Sequence, residues 1–296
     1  MANLSNPLPN LKLNDGNSIP MLGYGVGTAW YKSGDAGKID QGCIDAVKAA
    51  IRVGYTHLDG AESYRTEKEL GTAIKESKVD RSKLFITTKV SHGIEDPEAT
   101  LKKSLKDMQL QYVDLYLIHM PFFSEKPEDH QEKWKVMESL KAQGLTKSIG
   151  VSNYRPEDLK PILDIATVKP AINQVEFHPY LQRTELVAFH KEHGIATSAY
   201  SPLSANTKAS PGPVDNILAS LAKKYAVSEG EISLRWCIDQ DVVPVTTSGK
   251  EQRMSDYMRC AAFKLTPTEI KAINEEGAKK NYRGFWKQKF GENNWA

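Results

Sequence analysis

The feature that most constrains this chain is an alternation of short apolar runs with amphipathic helical stretches, repeated eight times between Leu22 and about Arg259. Such alternation is the signature of βα units feeding a parallel sheet, since each crossover helix must cover a sheet face. Strands are expected over Leu22 to Gly27, in a run ending at Asp59, and over Leu84 to Lys89, Val113 to His119, Lys147 to Val151, Ala171 to Phe177, Ile195 to Tyr200 and Val242 to Val245. The fourth is almost continuously apolar, as befits a strand covered on both faces. Helices are expected over Ile39 to Val53, where Ile44, Val47 and Ile51 follow helical spacing, over Glu67 to Ser77, and from Pro97 behind an Asp96 cap. Further helices read as Gln131 to Gln143 closed by Gly144, from Pro156, Thr184 to His193 closed by Gly194, Asp215 to Tyr225, Ser228 to Asp239 and Gln252 to Arg259. Thr266 and Pro267 open one more helix running to Glu276, and the aromatic-rich tail from Ala278 onward reads as irregular. Ahead of the first strand, Leu8 to Leu13 and Ser18 to Met21 flank the turn cluster Asn14 to Asn17, which predicts a hairpin plugging one end.

Successive strands lie roughly 25 to 45 residues apart with no linker or low-complexity break, a spacing that predicts one (β/α)8 TIM barrel with an N-terminal β-hairpin and an extra C-terminal helix and tail. A single domain over residues 1–296 is therefore expected. The competing architecture is a doubly wound dinucleotide fold. Its supposed fingerprint, Gly23-Tyr24-Gly25-Val26-Gly27, has the wrong glycine spacing and no helix directly behind it. Thr247-Ser248-Gly249-Lys250 likewise lacks the earlier glycine and the following Ser or Thr of a phosphate-binding loop.

The charge balance excludes several partners. With 39 basic and 37 acidic residues the net charge is +2, and the basic residues are spread along the chain, so no nucleic-acid footprint is expected. The N-terminus has no basic segment followed by an apolar one, and no apolar run is long enough for a membrane span. A cytoplasmic protein is expected, with a surface compatible with a monomer. Cys43, Cys237 and Cys260 are odd in number and far apart, which suggests neither a disulfide framework nor a cysteine metal site.

In a barrel of this kind chemistry gathers where the strands end at their C-terminal tips. The expected tips bring Asp59 and Tyr64, Lys89, His119, Ser152 and Asn153, Gln174, and Tyr200 with Ser201 to one rim. A tyrosine with a pKa of about 10 is a reluctant acid at neutral pH, and a nearby ammonium lowers that value. Lys89 is the candidate ammonium, Asp59 the carboxylate that keeps it charged, and His119 a donor that orients the reacting oxygen. Each alone also reads as an ordinary structural ion pair or rim histidine. A barrel lysine equally suits a Schiff-base aldolase working through Lys89. A metal-dependent reading from His57, Asp59, His119 and His178 finds no His-x-His pair to support it.

Six stretches resemble the aldo-keto reductase superfamily: Leu58-Asp59-Gly60-Ala61-Glu62-Ser63-Tyr64, Thr88-Lys89, Leu115 to Pro121, Gly150-Val151-Ser152-Asn153-Tyr154, Asn173 to Pro179 and Ala199 to Leu203. The tail Asn281-Tyr282-Arg283-Gly284-Phe285 and Val245 to Ser248 look most like the fungal branch of conjugated polyketone (ketopantoyl lactone) reductases and α-keto amide reductases. This resemblance implies NADPH-dependent reduction of aldehydes, ketones or activated dicarbonyls. Tyr64 would be the general acid, tuned by Lys89 and Asp59, with His119 orienting the substrate. Ser152, Asn153 and Gln174 match the positions that hold the nicotinamide carboxamide, Tyr200 the one that stacks on its ring, and Ser201 and Leu203 the pyrophosphate loop. Ser248 and Arg253 match the grip on the adenosine 2′-phosphate, with Lys250 standing two residues after the serine where many members have a lysine immediately before it. Arg65 and Gly60 also depart from the frequent pattern around the tyrosine. No metal is implied. A NADPH-binding regulatory subunit on the same barrel is the alternative class, for which a long N-terminal extension would speak.

The substrate, a small carbonyl compound, is expected to meet aromatics on the variable loops: Trp30 and Tyr31 after the first strand, Phe122 and Phe123 after the fourth, and Trp286 and Trp295 in the tail. His92, Met120 and Phe285 belong to the same loops. The same rings also suit plain loop-to-barrel packing.

Overall fold

Parallel strands close into a barrel only if every strand is returned by a crossover, and the caps written into this sequence start those crossovers where the strands need them. The structure, a computed structural model, describes residues 8–34 and 37–291, so Trp295 lies outside it. The expected hairpin consists of β1 (Asn10–Lys12) and β2 (Ser18–Pro20), antiparallel with Leu11 opposite Ile19. It is pinned to the N-terminal ends of later strands by Asn17 Nδ2 donating to Ser148 Oγ (3.0 Å), Asn14 Nδ2 to Pro170 O (2.8 Å) and the Lys141–Asp15 ion pair (2.7 Å). It thus covers the end of the barrel away from the strand tips.

The barrel strands are β3 (Gly23–Gly25), β4 (His57–Asp59), β5 (Phe85–Val90), β6 (Val113–Ile118), β7 (Thr146–Ser152), β8 (Ile172–Glu176), β9 (Ala196–Tyr200) and β10 (Val242–Thr246). They pair in parallel in sequence order, and β10 closes on β3. The helices lie where periodicity places them, with Glu67–Ser77, Thr184–His193 and Asp215–Tyr225 at the expected bounds. Asp96 caps Pro97–Met108 by accepting from Ala99 N–H (2.9 Å), and Leu101, Leu105 and Met108 form its buried stripe.

Two expectations need correction. The helix expected from Gln131 starts at Pro127, since proline fits the first helical position and Glu128 and Asp129 favour the positive helix end. The tail contains a short helix, Lys287–Phe290, with Phe290 buried. Among the described residues no helix is long and apolar enough to cross a membrane.

Helix packing also explains Gly71. A Cβ there would stand 2.2 Å from the backbone oxygen of Met108, so the helices Glu67–Ser77 and Pro97–Met108 touch backbone to backbone. Alanine is the better helix former by about 1 kcal/mol, yet overpacking costs typically about 1–3 kcal/mol. Gly71→Ala is therefore expected to lower the denaturation midpoint; an unchanged or raised midpoint would show that the two helices part freely.

Candidate active site

Asp59 ends β4, and the chain then turns through a short 3-10 segment, Glu62–Tyr64, that returns Tyr64 over the barrel mouth. Gly27, just past β3, leaves room for it: a Cβ there would lie 2.9 Å from the Tyr64 ring. The turn ends on Arg65 at φ 59°, a left-handed conformation uncommon for a side chain of this size. Arg65 Nη1 donates to Gly34 O (3.3 Å) and Lys32 N–H to Tyr64 O (3.2 Å), tying the tyrosine turn to the loop after β3. That loop is itself held by the ion pair of Lys32 with the buried Glu69, which also accepts from Asp40 N–H (2.9 Å).

Lys89, on β5, is 0% exposed and donates to Asp59 Oδ1 (2.6 Å) and Gly60 O (2.8 Å). Asp59 Oδ2 accepts from Gln174 Nε2 (2.9 Å) on β8, so the carboxylate bridges opposite parts of the rim. His119 follows β6; its ring meets that of Tyr64 edge-on at 5.5 Å, and its Nδ1 lies 3.3 Å from Ser63 Oγ. The Tyr64 hydroxyl makes no hydrogen bond to protein among the described residues, although Lys89 Nζ stands 5.1 Å from its ring centroid.

The electrostatics correct one expectation. Burial, reinforced by Asp59, raises the Tyr64 phenol above its ordinary pKa, the opposite of the lowering that a lysine neighbour suggests. The reason is geometric: the Lys89 charge is already shared with Asp59 and Gly60, so desolvation of the phenol outweighs it. Burial likewise lowers Lys89, with Asp59 opposing it. His119 is held well below its ordinary value by burial, then by Lys89 and His92, so it is neutral near pH 7.

One cavity of about 690 Å³ lies above these groups. Asp59, Tyr64 and His119 line it together with Asn153, Gln174, Tyr200, Ser201, Leu203 and Arg253; Lys89 and Ser152 lie behind the wall. Ser152 Oγ donates to Gln174 O (2.7 Å), Asn153 Nδ2 to His119 O (2.9 Å), and the Tyr200 hydroxyl to Asn153 Oδ1 (2.8 Å). Asn153 and Ser201 both have left-handed φ, at 63° and 53°; asparagine takes this region readily, whereas Ser201 is held there by the surrounding barrel. Ser248 is buried beside the cavity; its Oγ accepts from Lys250 N–H (3.0 Å), and its carbonyl accepts from the Tyr24 hydroxyl (2.7 Å).

The aromatics divide. Tyr31, 52% exposed, and Trp286 line the cavity, as do His92, Met120 and Phe285. Trp30 does not: its indole donates to the Tyr24 hydroxyl (3.2 Å) and packs beneath the loop of Ser248 and Gly249. Phe122 and Phe123 also lie outside the lining, Phe122 backing Trp286 (5.1 Å) and Phe123 packing on His130 (4.5 Å). The sequence reading missed Ser63 and Lys208. Lys208 lines the cavity with its ammonium 5.0 Å from the Phe285 ring, and it is the single charged residue between Ser201 and Pro213, a signal open to a sequence reader. Of the histidines weighed for a metal, His57 contacts Thr87 Oγ1 (3.2 Å) and His178 contacts Glu176 (3.4 Å); no group of three ligands is found among the described residues.

The cavity fits a nicotinamide dinucleotide. Gln174 Nε2 is committed to Asp59, leaving its side-chain Oε1 for a ligand amide at the cavity wall. Residues 24–277 match the family model described as Aldo/keto reductase family. The chain is 41% identical over 275 residues to the NAD/NADP-dependent indole-3-acetaldehyde reductase of Schizosaccharomyces pombe, covering 92% of this chain and 96% of that one. It is 39% identical over 299 residues to the NADPH-dependent alpha-keto amide reductase of Saccharomyces cerevisiae, covering 96% of each. The crystal structure of a Bombyx mori aldo-keto reductase in complex with NADP superposes with a TM-score of 0.81 at 35% identity, covering 91% of this chain and 93% of the other.

Proposed function

The chain belongs to the aldo/keto reductase family, and from that premise we propose that it reduces aldehydes, ketones or activated dicarbonyls to alcohols with NADPH, taking the proton from Tyr64. The observation that carries this reading is the unpartnered Tyr64 hydroxyl in a cavity that also holds His119 and, farther along, Arg253. Bound reduced nicotinamide supplies hydride to the carbonyl carbon. The chain's own residues handle the oxygen.

As charge develops on that oxygen, it becomes an alkoxide, a much stronger base than a phenolate in the same buried surroundings. A phenol is the stronger acid even when burial raises it, so the proton moves from Tyr64 to the product. The phenolate left behind lies near the Lys89 ammonium, which stabilises it without reorganising. In the tautomer whose Nδ1 accepts from Ser63 Oγ, neutral His119 carries its proton on Nε2 and donates to the carbonyl oxygen. Asn153 and Gln174 hold the carboxamide with Ser152 supporting them from behind the wall, Tyr200 backs the ring, Ser201 and Leu203 flank the pyrophosphate, and Ser248, Lys250 and Arg253 receive the 2′-phosphate.

A panel of carbonyls run with NADPH and with NADH tests the reading; NADPH binding without turnover on any member would count heavily against it. Arg253→Ala is expected to weaken NADPH binding by about 10- to 100-fold, the worth of charge-assisted hydrogen bonds, while NADH binding changes far less. Equal losses in a fluorescence titration would remove Arg253 from the 2′-phosphate site. The aldolase alternative is disfavoured because Lys89 is sealed behind Asp59 and Gly60, and borohydride with a carbonyl substrate is expected to trap nothing there.

A further inference from the structure

Glu176 is the last residue of β8, two positions beyond Gln174, and is fully buried. A buried carboxylate needs partners for its charge. Here two come from the C-terminal tail: Gly284 N–H donates to Oε1 (2.7 Å) and Phe285 N–H to Oε2 (3.1 Å). His178 Nε2 lies 3.4 Å from Oε1, and Arg183 Nε donates to the Glu176 carbonyl (2.8 Å). Burial raises this carboxyl, but His178 and the two tail amides outweigh it and leave it below the usual range.

What the carboxylate holds is a wall of the cavity. Phe285 meets Tyr200 edge-on at 5.5 Å, and Trp286, held at a left-handed φ of 58°, lines the cavity with Phe122 behind it. Resting on the reductase reading above, we infer that Glu176 is a positioning residue which, by accepting the Gly284 and Phe285 amides, docks the tail and so sets the enzyme's preference for bulky aromatic carbonyls over short aliphatic ones. Gln174 and Glu176 divide the work of one strand, the first facing the reaction centre and the second building the substrate wall.

Glu176→Gln places an amide NH2 against one of the two backbone donors and releases the tail. KM for a fused-ring aromatic aldehyde is expected to rise about tenfold, as for one charge-assisted hydrogen bond lost. For a short aliphatic aldehyde kcat and KM, and NADPH affinity, should stay within about twofold, and amide exchange over residues 283–290 should accelerate. Gly284→Pro removes a donor from the tail side, outside the barrel, and should give the same KM split even if the buried variant folds poorly. Trp286→Ala combined with either change should add little further loss, because both act through the same wall. Equal KM rises for both aldehydes, or unchanged selectivity with unchanged tail exchange, would overturn the proposal. A wild-type chain that reduced neither aldehyde would count against the reductase reading instead, and tail exchange would still decide whether Glu176 holds this segment.

Discussion

Tyr64→Phe should lower kcat by about two to four orders of magnitude, the usual worth of a positioned general acid, while NADPH affinity stays within about twofold. The expectation is sharp because the hydroxyl bonds to no protein group among the described residues, whereas the ring is held by His119 (5.5 Å) and by the close approach of Gly27. Removing the oxygen therefore takes away the proton and little of the fold. Thermal denaturation should coincide with wild type; near-normal turnover in the variant would show that the proton comes from elsewhere. The same electrostatics bear on pH. With the phenol raised and the imidazole lowered by burial, neither group titrates between about pH 6 and 9, and reduction should show no limb from either in that range.

Lys89→Met should be the most destabilising substitution in the site. It leaves Asp59, 3% exposed, with Gln174 as its remaining side-chain partner, and breaking a buried ion pair from one side costs about 3–5 kcal/mol. Turnover should fall with it, since the phenolate formed at Tyr64 loses its counter-charge. Adding Asp59→Asn removes the stranded charge, so the double variant should regain part of the stability and none of the turnover. Denaturant midpoints separate the two effects. A single variant as stable as wild type would mean that Lys89 and Asp59 are not a charged pair in the folded chain.

The barrel was legible because its signals are local. Asp96, Pro97, Gly144 and Gly194 mark helix ends by their own backbone chemistry, and strand period and helix period are read within a few residues of each. The tail helix Lys287–Phe290 was not legible, since four residues carry no period and their place depends on distant groups such as Arg155 and Arg183 around the Phe290 ring. Aromatic side chains failed for a related reason. Trp30 and Trp286 are alike as residues, and only the tertiary surroundings decide that one props a loop and the other faces the cavity. The strand-tip rule brought Asp59, Lys89 and His119 together correctly in space, but the sign of the Tyr64 shift depended on where the lysine's charge was already engaged.

The bond from Lys32 N–H to Tyr64 O and the reach of Arg65 to Gly34 mean that the loop bearing Tyr31 is also a brace for Tyr64. Anyone redesigning this enzyme for a new substrate would choose that loop as an obvious place to graft or randomise. With Tyr64 as the proposed proton donor, such a graft is expected to change catalytic rate together with selectivity, and libraries that keep Lys32, Gly34 and Arg65 while varying Tyr31 should separate the two traits.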